Sequence, residues 1–84
     1  MNPVLADVIG FIGSGIMVFA YAYSNMAKRM DFVLFNLANL VGAAMLITSL
    51  AVHFNMASMA LEIVWAGIAA LGLMKALMAR RSGA

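Results

Sequence analysis

The sequence predicts an all-α fold: an integral membrane bundle of three helices, N-terminus outside and C-terminus cytoplasmic. Three observations lead there. Of 84 residues, 67% are hydrophobic and 10% charged, where soluble domains carry about 25% charged residues. The mean hydropathy is +1.06, more apolar surface than a globule this small can bury. The stretch from Phe32 to Phe54 holds no Lys, Arg, Asp or Glu. As a helix it covers roughly 33 Å, enough to cross a bilayer core of ~30 Å. Continuous apolar runs flank it on both sides, and continuity excludes the alternation of a membrane β-barrel. One membrane domain, residues 1–84, is the expected organisation.

The first span is expected over residues 4–24. Pro3 stands where a helix begins, since its missing N–H costs nothing in a first turn. Asp7 falls in the opening turn, where a negative charge complements the helix dipole. Ala20-Tyr21-Ala22 has the form of a signal-peptide cleavage site, but no Lys or Arg precedes the apolar run, so a retained span is expected. A loop at 25–31 carries Lys28, Arg29 and Asp31, with Tyr21 and Tyr23 just before it, where amphipathic rings favour the interface. The middle span covers 32–54. A very short second loop follows, with Asn55 or Ser58 able to cap the third helix. The third span covers 57–78, ahead of a polar tail, 79–84.

Charge sets the expected orientation. The five basic residues are Lys28, Arg29, Lys75, Arg80 and Arg81. All belong to the first loop or the C-terminal end, so the positive-inside rule places both in the cytoplasm. There is no cysteine, which removes disulfides and thiolate chemistry. The basic residues do not form the clustered, solvated face of a nucleic-acid binder. No nucleophile–base pair, phosphate loop or metal cluster is visible. An enzyme is therefore not expected, and no cofactor or metal is assigned.

In lipid, helices associate through close packing, so small residues four apart are informative. Ala6, Gly10 and Ser14 form such a series, with Gly13 and Gly15 beside it. Ala38 and Gly42 form a second, and Ala66 and Ala70 a third, with Gly67 and Gly72 nearby. Intramolecular packing or a homo-oligomer interface would both use them. Asn36 and Asn39 share a face of the middle helix, and a buried amide needs a partner. Tyr21, at similar depth, is the expected one. Glu62 lies ~7 Å inside the third span. An intramembrane carboxylate should face the bundle, a water cavity or the headgroup boundary. Trp65, one turn deeper, is expected to pack beside it, and His53, Ser49 or a backbone group to bond it. One histidine makes no zinc site. The nine methionines are scattered, as gap fillers are.

Several of these pieces together resemble a known family. Gly13 followed by Ala22-Tyr23, then Asn39-Leu40-Val41-Gly42-Ala43, then Leu61-Glu62-Ile63-Val64-Trp65-Ala66 is similar to uncharacterised bacterial inner-membrane proteins. These are sometimes filed as CBU-type domains and occasionally labelled permeases. The resemblance covers nearly the whole chain and implies a bacterial, three-span protein without an established activity. A fainter likeness is to SemiSWEET transporters, which have three spans and work as dimers; Ala20 to Tyr23 stand where their Pro-Gln hinge is expected. Two functions follow as expectations. One is a structural or accessory subunit, packing in the membrane as a homo-oligomer or against a larger complex. The other is a dimeric small-solute transporter using Asn39, Glu62 and Trp65.

Overall fold

The computed structural model describes residues 1–81 and holds three helices: α1 (Pro3–Met26), α2 (Phe32–Leu50) and α3 (Met56–Arg81). Each is long and apolar enough to cross a membrane. The molecule is 45 Å long and 22 × 20 Å across, close to the ~40–45 Å of a bilayer with its headgroups. α2 packs against α1 on one flank and α3 on the other, while among the described residues α1 and α3 make no close backbone approach to each other.

Local chemistry fixes the helix ends. Asn2 Oδ1 accepts the Val4 N–H at 2.8 Å, and Pro3 takes the first helical position. Asp7 therefore sits in the second turn of α1, not the first. Asp31 caps α2, its Oδ1 accepting the N–H groups of Val33 and Leu34 at 3.0 and 3.2 Å. α2 stops at Leu50, four residues before the expected Phe54, because the N–H groups of Val52 and His53 both turn back onto the Ser49 carbonyl at 3.1 Å. Asn55 is the residue that caps α3, its Oδ1 accepting the Ser58 N–H at 3.0 Å. α3 continues through Arg81, past the expected end at residue 78. Of the expected polar tail, residues 82–84 lie outside the described part.

The packing face of α1 steps by four and three alternately: Ala6, Gly10, Gly13, Met17, Ala20 and Ser24 are all buried or half-buried. This is the spacing of a left-handed helix pair. Gly13 and Gly42 meet at the α1–α2 crossing, where a Cβ on either would lie 2.9 Å from the other's carbonyl oxygen. Gly10 faces the Ser49 side chain in the same way. Ser14 and Ala38 are half-buried beside this seam. On α3 the face runs Met59, Glu62, Ala66, Ala69, Leu73 and Ala76, with Ala69 only 3% exposed. Ala70, expected on that face, is exposed: a fixed step of four advances 400° and drifts off the seam. Most of the large apolar side chains point outward, Phe11 at 79% and Ile68 at 63% exposure. A membrane-spanning bundle presents such side chains to lipid.

At the first-loop end Asp31 ties all three helices together. Besides capping α2, its N–H donates to the Tyr23 hydroxyl of α1 at 2.6 Å. Its carboxylate accepts from Arg80 Nη2 of α3 at 3.0 and 3.1 Å. The Leu34 N–H, with help from Arg80 and the Val33 N–H and against some desolvation, holds the carboxyl below its ordinary value of 3.8.

Two outcomes are expected. Gly13→Ala and Gly42→Ala should each destabilise the detergent-solubilised protein by about 1–3 kcal/mol through overpacking. Gly15→Ala and Gly67→Ala, whose added methyls meet nothing within 4 Å, should stay within roughly 0.5 kcal/mol of the parent; thermal melts compare the four. A depressed carboxyl pKa contributes stability that is present above the unfolded-state value and lost as pH falls through the folded one. The melting temperature should therefore drop as acidification passes below the ordinary carboxyl value of 3.8. Asp31→Asn, which keeps a capping side chain, should flatten that drop.

Candidate functional site

The polar residues of the span interiors converge on the α2–α3 interface. Asn39 is 6% exposed. Its Oδ1 accepts the Trp65 Nε1–H at 3.0 Å, and its Nδ2 donates back to the Phe35 carbonyl at 2.9 Å. The carbonyl oxygen of the amide thus crosses to α3 while the amino group is satisfied within α2, leaving neither dipole orphaned in an apolar medium. Asn36 repeats half of this arrangement. Its Nδ2 donates to the Phe32 carbonyl at 2.8 Å, and its side chain abuts Gly72, where a Cβ would collide with Oδ1. A cavity of about 200 Å³ opens between the helices, lined by Phe35, Asn36, Asn39, Trp65, Ile68 and Ala69.

The expected partner of the two amides, Tyr21, does not reach them. It is 72% exposed, because α1 packs on the opposite flank of α2 from the asparagines. Its carbonyl instead accepts from Ser24 and Asn25.

Glu62 stands on the packing face of α3 but not in the cavity wall. Its Oε1 is shielded from solvent and has no hydrogen-bond partner. The expected bond to His53 does not form, nor does one to Ser49. His53 Nε2 lies 3.1 Å from Asp7 Oδ1 and 3.3 Å from the Pro3 carbonyl oxygen. The short second loop holds the imidazole over the start of α1, away from α3. Trp65 likewise turns its indole N–H to Asn39 rather than to Glu62.

Two polar links escaped sequence reasoning, Asp7–His53 and Arg80–Asp31–Tyr23. One local signal was available: an aspartate directly before an apolar run reads as an N-cap. The pairing itself, across 49 positions for Arg80 and Asp31, has no local signature. Among the described residues no three His, Cys, Asp or Glu side chains gather where they could hold a metal ion.

A protein-family model matches residues 6–81, a stretch that takes in the amides, Glu62, Trp65 and both polar links. The chain belongs to that family. The family is uncharacterised, so membership supplies no activity for the Asn39–Trp65 pair or for Glu62. No curated protein matches the chain, and no solved structure does; the likeness to SemiSWEET transporters thus gains no support from them.

Trp65 is the single tryptophan of the chain, so its emission reports on this bond alone. Asn39→Leu should blue-shift the fluorescence by removing the acceptor of the indole N–H. Trp65→Phe leaves Asn39 Oδ1 buried and unpaired and should cost about 1–2 kcal/mol in a detergent melt.

Proposed function

We propose that the protein is a non-enzymatic, multi-pass subunit of the bacterial inner membrane, structural or accessory in role. It packs as a homo-oligomer or against a larger membrane complex. The observation that carries this reading is the set of small residues that the chain's own packing leaves unused. Gly15 and Gly67 face open space, with nothing within 4 Å of an added methyl, and Ala70 is exposed. In lipid such positions let a further helix approach closely. The unpartnered Glu62 Oε1 points the same way, since a neighbouring chain can bring a donor. The five basic residues gather at the first-loop and C-terminal end, which supports placing that end in the cytoplasm.

A second reading, a dimeric small-solute transporter using Asn39, Glu62 and Trp65, draws on the cavity beside Asn39 and Trp65. Two features weigh against it. The amide and the indole are committed to each other, and Glu62 does not line that cavity.

The chain has no cysteine, so single cysteines report contacts cleanly. Gly15→Cys or Gly67→Cys should give a cross-linked product in native membranes. Gly15→Leu or Gly67→Leu should lower the oligomeric fraction about tenfold, or ~1.4 kcal/mol, in light scattering with a mild detergent. A monomer throughout, with no cross-link from either position and no co-purifying subunit, sinks the proposal. Solute flux in proteoliposomes that responds to Glu62→Gln would install the transporter instead.

A further inference from the structure

The first-loop end carries a second feature that helix packing does not use. A groove of about 350 Å³ lies between the start of α2 and the last turns of α3. Its apolar lining is Met30, Phe32, Val33, Ala76 and Ala79; its polar lining is Arg29 and Arg80, with Asp31 the one carboxylate. Arg80 reaches Asp31 through Nη2 alone, which leaves the donors on Nε and Nη1 uncommitted among the described residues. Arg29 has no polar partner among the described residues. Lys28 and Arg81 flank the groove in sequence and are exposed. Two guanidinium groups stand against one carboxylate in the lining, so its net charge is positive.

We propose that this groove binds an anionic phospholipid: Arg29 and Arg80 hold the headgroup phosphate, and an acyl chain lies along Val33 and Ala76. Charge complementarity and position select the occupant. The groove sits at one end of helices that cross the bilayer, where the phosphate layer lies. Guanidinium groups suit phosphate oxygens because their planar forks donate in pairs. Ala76 lies one helical turn nearer the middle of α3 than Arg80, so the apolar lining offers a path for a chain that inorganic phosphate lacks. Basic pockets at helix ends generally recognise anionic headgroups. The inference needs the helices to be in a bilayer; it does not need the oligomer.

The test uses the full chain in mild detergent, with phosphatidylglycerol or phosphatidylcholine added and retention read by native mass spectrometry. Phosphatidylglycerol should be retained in preference to phosphatidylcholine. Arg29→Gln removes a groove cation that makes no structural ion pair, and should weaken phosphatidylglycerol retention roughly fivefold. Lys75→Gln removes the same charge from a side chain that does not line the groove and should leave retention unchanged. Ala79→Trp, at an exposed position, fills the groove without altering charge and should displace the lipid. Equal loss from Arg29→Gln and Lys75→Gln, or equal retention of the two lipids, overturns the site in favour of diffuse surface charge. Displacement of the lipid by millimolar inorganic phosphate overturns the lipid assignment in favour of a free-phosphate site.

Discussion

The approach of α1 to α2 is set by two glycines with no side chain between them. Gly13 and Gly42 lie with each backbone against the other, so that a methyl on either would press a carbonyl oxygen at 2.9 Å. Apolar side chains gain nothing by leaving lipid for a neighbouring helix, which is as apolar as the medium; close van der Waals contact must supply the attraction. That requirement explains a core made of small residues and one amide (Ala6, Gly13, Ala20, Asn39, Gly42, Ala43 and Ala69), while Phe11, Phe19, Phe32, Phe54 and most large aliphatic side chains face outward. α2 meets it twice, on opposite flanks, and its buried positions divide between them: Gly42 lies against α1 and Asn39 against α3.

Polar links then fix what close packing leaves free to slide. Asp31 joins the ends of the three helices at one extreme of the bundle. Asp7 and His53 pin the second loop to α1 at the other. Between these, Asn39 and Trp65 set the register of α3 on α2. Each link belongs to a medium that suits it. The links that involve ionisable groups lie at the ends, half-exposed, where their desolvation is small and their individual worth modest. The interior link is neutral, and its donors and acceptors match.

The three helices and their loops were legible because length, hydropathy and charge placement are local properties. The faces were legible only in part. Ala6, Gly10, Gly13 and Gly42 were named from the sequence and do lie on the α1–α2 seam. Ser14 and Ala70 were placed by a uniform step of four, whereas the seams alternate four and three and pass through Gly13 and Ala69. Asn39 was recognised as needing a partner, but its partner was not readable. Tyr21 and Trp65 both stood at plausible depth, and the choice depends on which flank of α2 each outer helix occupies. No pattern within a single helix encodes that. The same holds for Arg80 with Asp31 and His53 with Asp7.

Glu62 follows from the same register. Asn36 opposite Gly72, Asn39 opposite Trp65 and Asp31 opposite Arg80 define antiparallel neighbours. Continuing them brings Glu62 to the level of Ala43-Ala44-Met45-Leu46-Ile47, where α2 has no donor side chain and its backbone N–H groups serve the helix. His53 is held by Asp7, and Trp65 by Asn39. The unpartnered oxygen thus follows from how the neighbouring donors are already used. Among the described residues no donor reaches it, and the α2 positions at its level are apolar.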